Sequence, residues 1–295
     1  MPSQVLDQWA DWLLRRRYGG DPDLLRRQLE FLGPIRDRVL RNAALRPDDL
    51  LLDVGAGDGL IAFGALEKLG PTGHVIFNDI SQDLLDHARA LAVSAGSAQK
   101  CNFLNASAED LSELESDSVD VVTTRAVLIY VPDKRRALRE FYRVLRTTGR
   151  LSLFEPINRF GHAAMFGSMF FGIPVGPVGD LWAKIRALYE RLQPPTDPML
   201  DFDERDLFAF AEEVGFREVH LEYHAELTPP RDKLVWDQIV SGSGNPKIPS
   251  IKEAMTEVFT DDERNRFIEY FRPRLEGVEA KVRSASVYLW ATKAE

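Results

Sequence analysis

Apolar positions along the chain follow two periods, one helical and one typical of buried strands. Over Val5–Arg17 and Asp23–Asn42, apolar residues recur at the three- and four-residue spacing of amphipathic helices. Over residues 48–156, short apolar runs alternate with amphipathic stretches, and the alternation resumes at Asp203. Strands that alternate with helices in this way indicate βαβ units and a parallel sheet.

Seven segments have the apolar character expected of strands. Four of them are almost continuously apolar, as expected for parallel strands that are buried on both faces. The strand candidates are Leu50–Gly55, His74–Ile80, Cys101–Ala106, Val119–Val127, Arg150–Pro156, Phe216–Leu227 and Ser284–Lys293. The helix candidates between them are Leu60–Leu69, Gln82–Ala95, Asp133–Arg146 and Asp203–Val214. The sequence therefore predicts an α/β fold, with a Rossmann-like, mostly parallel seven-stranded sheet and helices on both faces.

The same pattern divides the chain into four parts. Residues 1–47 form an N-terminal helical cap, and residues 48–156 form the Rossmann-like core. Residues 157–202, rich in Gly, Pro, Phe and Met, interrupt the alternation as an inserted lid or substrate segment. Residues 203–295 complete the core and include a helical insertion at about 228–278. Long insertions in compact domains usually carry function, so we expect these two to form a lid or pocket rather than surface decoration.

A glycine cluster ends the first strand candidate, in the sequence LLLDVGAGDG over Leu50–Gly59. Ligands of open α/β sheets bind at the carboxyl ends of strands, and glycine lets the backbone turn sharply there. The G-x-G-x-G spacing differs from the G-x-G-x-x-G of dinucleotide-binding folds, and neither is decisive alone. Asp53 and Asp58 beside the glycines favour a ligand with positive charge over a pyrophosphate. Asp79, which ends the second strand, can accept hydrogen bonds from both hydroxyls of a ribose, which favours an adenosine-type ligand, NAD included.

Five motifs in order resemble those of the class I S-adenosylmethionine-dependent methyltransferases: LLDVGAGDG, NDIS, NASAEDL, DSVDVVTTRAVLIYVPD and REFYRVLRTTGRLSLFEP. The resemblance covers about Asp48–Pro156. It implies a cofactor-binding core that uses S-adenosyl-L-methionine, with S-adenosyl-L-homocysteine as the product. It also implies that the glycine loop lines the methionine part, that Asp79 holds the ribose and that Ile80 packs on the adenine face. Ser107 stands where many relatives carry Asp.

The residues that the resemblance assigns to the cofactor, or to its border with the substrate pocket, form one set. They are Tyr18, Asp53, Gly55, Ala56, Gly57, Asp58, Gly59, Asp79, Ile80, Ser107, Ala108, Glu109, Arg125 and Ala126. Three of the carboxylates have structural alternatives. Asp53 can be the partner of a helix dipole, Asp79 can be a helix N-cap (a role that Ser81 fills better), and Glu109 can open a helix.

Methyl transfer from a sulfonium needs an aligned nucleophile and a site without water, and it needs a base only when the nucleophile arrives protonated. The candidates for catalysis are Tyr130 after the fourth strand, Glu155 at the end of the fifth, and His162 just beyond it. Each has a structural alternative: core packing for Tyr130, a hydrogen-bonded structural carboxylate for Glu155, and polar surface for His162. His220 and His224 share a face of the sixth strand candidate, but no convincing third metal ligand accompanies them, so we expect no metal site.

Composition limits the partners of the chain. The 295 residues carry a net charge of −9, which gives no advantage in neutralising phosphates, so we expect no nucleic-acid partner. The basic run Leu13–Gly20 is interpreted as the solvated end of a helix. Cys101 is the single cysteine, and no apolar run reaches transmembrane length. We therefore expect a reduced, soluble, cytoplasmic protein with no integral membrane segment.

The apolar insertion Phe160–Trp182 favours a small, largely apolar acceptor, aromatic or natural-product in type, as in secondary metabolism. The expected function is methyl transfer to O, N or C of that acceptor. Two alternatives stay open. One is a methyltransferase-like protein that binds the cofactor as a regulator or a non-methylating enzyme. The other is an NAD(P)-dependent oxidoreductase, which Asp58 and the SAED motif disfavour. The apolar lid and N-terminal helix can equally form a homodimer interface.

Overall fold

A seven-stranded sheet forms the centre of the molecule in the computed structural model, which describes residues 5–19, 21–165, 167–228, 235–276 and 282–294. Its strands are β1 (Leu50–Val54), β2 (His74–Asp79), β3 (Cys101–Asn105), β4 (Val119–Arg125), β5 (Leu145–Pro156), β8 (Phe216–Thr228) and β9 (Val282–Lys293). A separate short hairpin consists of β6 (Met169–Phe170) and β7 (Ile173–Pro174). The order in the large sheet is β3-β2-β1-β4-β5-β9-β8; the first five strands are parallel, and β9 runs antiparallel to both its neighbours. The predicted Rossmann-like α/β fold is confirmed.

Helices cover both faces of the sheet. They are α1 (Gln8–Asp11), α2 (Pro22–Asn42), α3 (Leu60–Leu66), α4 (Gln82–Ser94), α5 (Lys134–Val144), α6 (Asn158–Met165), α7 (Gly179–Leu192), α8 (Glu204–Val214), α9 (Trp236–Ser241), α10 (Ile251–Val258) and α11 (Asp261–Leu275). Successive strand residues separate into two buried clusters: Leu51 and Val121 belong to one, while Leu52 and Val122 belong to the other. Because side chains alternate across a strand, these clusters lie on opposite faces. Within the described ranges, every helix is too short or too polar to cross a membrane.

The two insertions pack against each other and form a third hydrophobic cluster. We call residues 157–202 together with residues 235–276 the insert subdomain. Its core contains Trp182 from the first insertion and Phe271 from the second, each at most 2% exposed. Most apolar side chains described for 160–182 fill this core. The sequence predicts that this stretch forms the wall of the acceptor pocket. In the structure, its apolar residues instead stabilise a subdomain.

The ends of two predicted elements differ from the sequence expectation. The single N-terminal helix expected over Val5–Arg17 is divided into α1 and a π-helical turn at Trp12–Arg16. Strand β5 starts at Leu145, directly after α5, and not at Arg150; its first residues pair beside β4 with a register shift. A π-helical turn changes the helical phase, so the side chains that follow it point in directions that a 3.6-residue period does not predict.

The N-terminal segment, residues 5–19, lies across the carboxyl edge of the sheet. Asp7 Oδ2 accepts a hydrogen bond of 2.6 Å from Ser81 Oγ, and Asp7 N donates to Asp83 Oδ2 at 2.6 Å. At its other end, Trp12 Nε1 donates to the Ser243 carbonyl oxygen at 2.7 Å. The segment therefore bridges the start of α4 and the insert subdomain.

Candidate functional site

A cavity of about 430 Å³ lies at the carboxyl ends of β1, β2 and β4, beneath the N-terminal segment. Ligands of open α/β sheets bind at this edge. Among the residues assigned to the cofactor from the sequence, those that line the cavity are Gly55, Gly57, Asp79, Ile80, Ser107, Ala108, Glu109, Arg125 and Ala126. The first four strands and the turns after them thus bring widely separated motifs to one surface.

Asp79 connects the glycine loop to the end of β2. Its Oδ2 accepts a hydrogen bond of 2.9 Å from the Gly57 amide, and its Oδ1 accepts one of 2.9 Å from the Ser81 amide. The N-cap of α4 is Ser81, whose hydroxyl accepts from Leu84 N, so Asp79 does not fill that alternative role. Burial raises the pKa of the Asp79 carboxyl. Each carboxylate oxygen has further lone pairs on the cavity side, which suits a pair of ribose hydroxyls.

Asp53 has a different environment although it has the same side chain. It is 2% exposed, and its two oxygens accept hydrogen bonds from Thr123 Oγ1 at 2.9 Å and from Ala62 N at 3.1 Å, in the first turn of α3. Burial raises the pKa of its carboxyl to about 7, against these hydrogen bonds. Asp53 is not among the described lining residues, and its contacts match the alternative of a helix-dipole partner.

The remaining residues of the loop shape the backbone. Gly57 has a φ of +57°, and a Cβ at this position would meet Leu13 Cδ2 at 3.1 Å, so the loop and the N-terminal segment are in close contact. Ala56, Asp58 and Gly59 lie in the loop but outside the described lining of the cavity. Tyr18 is likewise outside the lining, with the Arg17 guanidinium carbon 5.4 Å from its ring centre.

A turn after β3 forms part of the cavity lining. Ser107 Oγ accepts a hydrogen bond of 3.2 Å from Glu109 N, and Glu109 Oε1 accepts one of 2.9 Å from Asp133 N. Glu109 therefore lies in a turn and does not open a helix. Ile80 is 51% exposed beside this turn, which is unusual for isoleucine and gives a flat aromatic ring an apolar surface.

Tyr130 lines the cavity and packs against the N-terminal segment. Its ring meets the edges of Trp9 and Trp12 at centroid distances of 5.0 and 6.2 Å. Burial raises the pKa of its phenol to about 12, so the hydroxyl stays protonated at neutral pH. Among the described residues, this hydroxyl has no hydrogen-bond partner. It is therefore available to donate to a bound molecule and is unsuited to act as a base.

Glu155 is fully buried at the end of β5 and holds the turn that follows β4. Its Oε1 accepts hydrogen bonds of 3.0 Å from the amides of Val127 and Leu128, and its Oε2 accepts one of 3.3 Å from Ile129. Ala126, just before these residues, has a left-handed φ of +56°, which residues other than glycine rarely adopt. Glu155 does not line the described cavity. Its contacts match the alternative of a structural carboxylate that positions the cavity wall.

His162 lies in α6, partly buried and outside the described lining of the cavity. Burial lowers the pKa of its imidazole. Within the described ranges, no group of three or more His, Cys, Asp or Glu side chains is arranged to hold a metal ion. The geometry therefore gives His162 no contact with the space in which a substrate and cofactor would meet.

The Glu155→Gln substitution tests the positioning role. An amide has one oxygen, so at least one of the three backbone amides loses its acceptor, and we expect a loss of about 1–3 kcal/mol in unfolding free energy. Burial raises the pKa of Glu155 to about 7 from an ordinary 4.5. A raised acid pKa contributes stability that is present below the unfolded value and is lost as the pH rises through the folded value.

Urea denaturation of both proteins between about pH 5 and pH 8 measures this contribution. The stability of the wild type relative to Glu155→Gln should fall as the pH rises, because glutamine does not titrate. A stability difference that stays constant with pH would contradict this assignment, whatever the size of the difference.

A model of the ubiE/COQ5 methyltransferase family matches residues 34–227, more than half of the chain. This chain belongs to the ubiE/COQ5 methyltransferase family. The matched region contains the glycine loop, Asp79, the turn after β3 and the end of β4. The class I S-adenosylmethionine-dependent methyltransferase fold that the motifs resemble is thereby confirmed.

Two relatives show how far the similarity extends. The chain is 34% identical over 155 residues to the tRNA 5-carboxymethoxyuridine methyltransferase of Escherichia coli, covering 52% of this chain and 56% of that protein. It is 34% identical over 128 residues to the ubiquinone/menaquinone biosynthesis C-methyltransferase UbiE of Vibrio vulnificus, covering 41% and 49%. The chain thus spans about half the length of these curated relatives.

A solved structure extends the likeness beyond the matched region. The YcgJ protein from Bacillus subtilis superposes with a TM-score of 0.55 at 20% identity, covering 88% of this chain and 98% of that chain. At this identity the likeness concerns the fold. It shows that the same fold extends across most of this chain, and it carries no information on the acceptor.

Arg17, Met199 and Lys247 are among the cavity residues that are absent from the set predicted from the sequence. Arg17 belongs to a basic run whose composition is that of a solvated helix end, and it directly follows the π-helical turn at Trp12–Arg16. Met199 and Lys247 come from the insert subdomain, whose packing has no local sequence signal. Arg17 and Lys247 lie outside the region 34–227 that matches the family.

Proposed function

We propose that this chain transfers the methyl group of S-adenosyl-L-methionine to O, N or C of a small, largely apolar acceptor. One observation carries the proposal: a single cavity is lined both by residues suited to adenosine and by apolar residues. Asp79, Ile80 and Ser107 belong to the first group, and Trp9 and Met199 to the second. Membership of a methyltransferase family supports the same conclusion.

The cofactor would bind along the carboxyl ends of the first strands. Asp79 would accept hydrogen bonds from the ribose, Ile80 would cover the adenine, and Gly55 and Gly57 would let the backbone approach the methionine part. The bound cofactor supplies an activated methyl group on a sulfonium. Trp9 and Trp12 cover the cavity from above, which limits the access of water to the reacting atoms.

The cavity residues would orient the acceptor and would not remove a proton from it. Tyr130 presents a protonated hydroxyl that can donate a hydrogen bond. The carboxylates among the described lining residues, Asp79 and Glu109, already accept hydrogen bonds from backbone amides. The acceptor would therefore react as a nucleophile that needs no base, either an unprotonated O or N or an electron-rich carbon, and a carbon would release its proton after the transfer.

We do not extend the proposal to a nucleic-acid acceptor, although one relative is a tRNA methyltransferase. A net charge of −9 opposes binding to a polyanion, and a cavity of about 430 Å³ suits a small molecule. Membership of secondary metabolism, a cytoplasmic location and a homodimer remain predictions. Light scattering of the purified protein measures the last of these directly.

Calorimetric titration with S-adenosylmethionine, S-adenosylhomocysteine, NAD and NADP in parallel tests the proposal. We expect micromolar binding of the first two alone. Binding of NAD instead would overturn it and make Asp79 the ribose anchor of an oxidoreductase. If the cofactor binds and no acceptor in a broad panel releases S-adenosylhomocysteine, the alternative of a cofactor-binding regulator or non-methylating enzyme is favoured.

A further inference from the structure

Among the described residues that line the cavity, three have cationic side chains: Arg17, Arg125 and Lys247. Within the part of the chain that the structure describes, none of these three side chains forms an ion pair or a hydrogen bond with a carboxylate. The surroundings of Arg17 are aromatic, with its guanidinium carbon 4.9 Å from the ring centre of Trp12. Elsewhere in the fold, the buried Arg150 is paired with Asp49 at 2.6 Å.

The position of Arg125 is costly in free energy. Burial lowers the pKa of its guanidinium, and the positive charge of Arg17 lowers it further, while Asp58 and Asp53 oppose both effects. Two neighbouring guanidinium groups repel each other, and a buried charge without a close partner is destabilising. Such an arrangement is retained most readily where a bound anion relieves it.

The cofactor alone does not supply enough negative charge. S-adenosylmethionine carries one carboxylate, but its ammonium and sulfonium groups give it a net positive charge. The lining carboxylates, Asp79 and Glu109, accept hydrogen bonds from backbone amides, and in the described residues neither is bonded to any of the three cations. One cofactor carboxylate can pair with one of the cations, so positive charge remains in the cavity after the cofactor has bound.

Two neutral polar groups that line the cavity can also donate hydrogen bonds. Asn158 Nδ2 is buried and lacks a hydrogen-bond partner in the described residues, and Asn158 lines the cavity. The Tyr130 hydroxyl is a second donor for which the described residues provide no partner. A ligand that satisfies cations and donors together is rich in acceptor oxygens, and the apolar walls formed by Trp9 and Met199 require an apolar body.

We propose that the acceptor is an amphipathic anion whose carboxylate or phosphate group is bound by Arg17 and Arg125. Its apolar body would pack against Trp9 and Met199, with Lys247 at the cavity mouth. This inference rests on the proposed function and narrows its substrate class. Arg17 and Lys247 lie outside the family match, so the specificity would come from elements that this chain adds to the family core.

Binding of small probes to the S-adenosylhomocysteine-loaded protein tests the inference. Benzoate and phenyl phosphate are the anionic probes, and benzamide and benzyl alcohol are the neutral controls, all at constant ionic strength. We expect at least one anion to bind about tenfold or more tightly than its neutral counterpart. A preference between the two anions identifies carboxylate or phosphate. Equal affinities of anions and neutral probes, or no binding by any of them, overturn the inference.

Loading the protein with methylthioadenosine shows whether the arginines bind the anion of the acceptor or the carboxylate of the cofactor. Methylthioadenosine contains the adenosine and the sulfur but lacks the amino-acid part. If benzoate binds the methylthioadenosine-loaded protein and not the S-adenosylhomocysteine-loaded protein, the arginine pair serves only the cofactor carboxylate and the inference is wrong. If S-adenosylhomocysteine itself does not bind the wild type, the proposed function fails before this inference is tested.

Matched variants locate the anion. Arg17→Gln should weaken binding of the preferred anion about tenfold or more, and Arg17→Lys should restore part of it. Arg15→Gln is the control, because Arg15 lies on the same turn, is 54% exposed and is bonded to Asp11 at 3.5 Å. Thermal unfolding verifies that each variant is folded. Equal loss in Arg15→Gln and Arg17→Gln would show a general charge effect and contradict a site at Arg17.

Discussion

The Asp79→Ala variant is expected to bind S-adenosylhomocysteine about a hundredfold more weakly than the wild type. A hydrogen bond to a charged group contributes about 1.5–3 kcal/mol, and the carboxylate can accept one from each ribose hydroxyl. Asp79 is 7% exposed, and its two oxygens already accept hydrogen bonds of 2.9 Å from the amides of Gly57 and Ser81. Calorimetric titration of both proteins measures the loss.

Two further variants distinguish the ribose contact from a general effect. Asp86→Ala removes an exposed carboxylate of α4 that bonds Gln82 and Arg89, and it should leave the affinity unchanged. Asp79→Asn keeps one acceptor oxygen and should give an intermediate affinity. Asp79→Ala also leaves two amides without an acceptor, so we expect it to unfold at a lower temperature than the wild type. Unchanged affinity in a folded Asp79→Ala protein would refute the ribose assignment.

The central sheet could be predicted because its signal is local. Parallel strands that are buried on both faces are apolar along their whole length. Each strand can therefore be recognised from its own sequence, without knowledge of the strands it pairs with. The insertions gave no such signal. The composition of Phe160–Trp182 is apolar whether it walls a pocket or fills a core. The choice depends on Trp236, Phe267 and Phe271, which lie far along the chain and form a core with it.

The site residues that could be predicted are those whose positions are fixed by the ends of the strands. Gly57 and Asp79 lie at the ends of strands that the sequence identifies, so their meeting follows from the topology. Asp53 and Asp79 show the limit, because both are aspartates at strand ends. The side chain of Asp53 is directed at the first turn of α3, whereas that of Asp79 reaches the cavity.

The position of Arg17 in the cavity could not be predicted from the sequence either. It belongs to a run of three arginines, and helical spacing alone cannot say which of them faces the core. The π-helical turn at Trp12–Arg16 changes the direction of the side chains after it. Trp12 in this turn is bonded to the Ser243 carbonyl oxygen, 231 residues along the chain. Local propensity does not encode such tertiary contacts.

The Gly55→Ala substitution should have the second large effect, on stability and on cofactor binding together. Gly55 has a φ of +64°, in the left-handed region, where a side chain costs about 1–2 kcal/mol. A Cβ at this position would also overlap the side chain of Val127, in the adjacent wall of the cavity that follows β4. That wall cannot easily retreat, because Glu155 holds the amides of Val127 and Leu128. We expect cofactor binding too weak to detect by calorimetry and a clear fall in the melting temperature.

The cost of backbone conformation can be separated from the cost of overlap. Gly96 has a φ of +68° and nothing within 4 Å of an added Cβ, so Gly96→Ala measures the conformational cost alone. Val127→Ala in the Gly55→Ala background removes the overlapping atoms and should recover part of the lost stability, although Val127→Ala alone is destabilising. If Gly55→Ala costs no more than Gly96→Ala, the close approach of the glycine loop to Val127 does not constrain the cavity. If the double variant recovers stability and also regains cofactor binding, the need for glycine at this position is steric, because the loop must pass within contact distance of the wall on which the cofactor would lie.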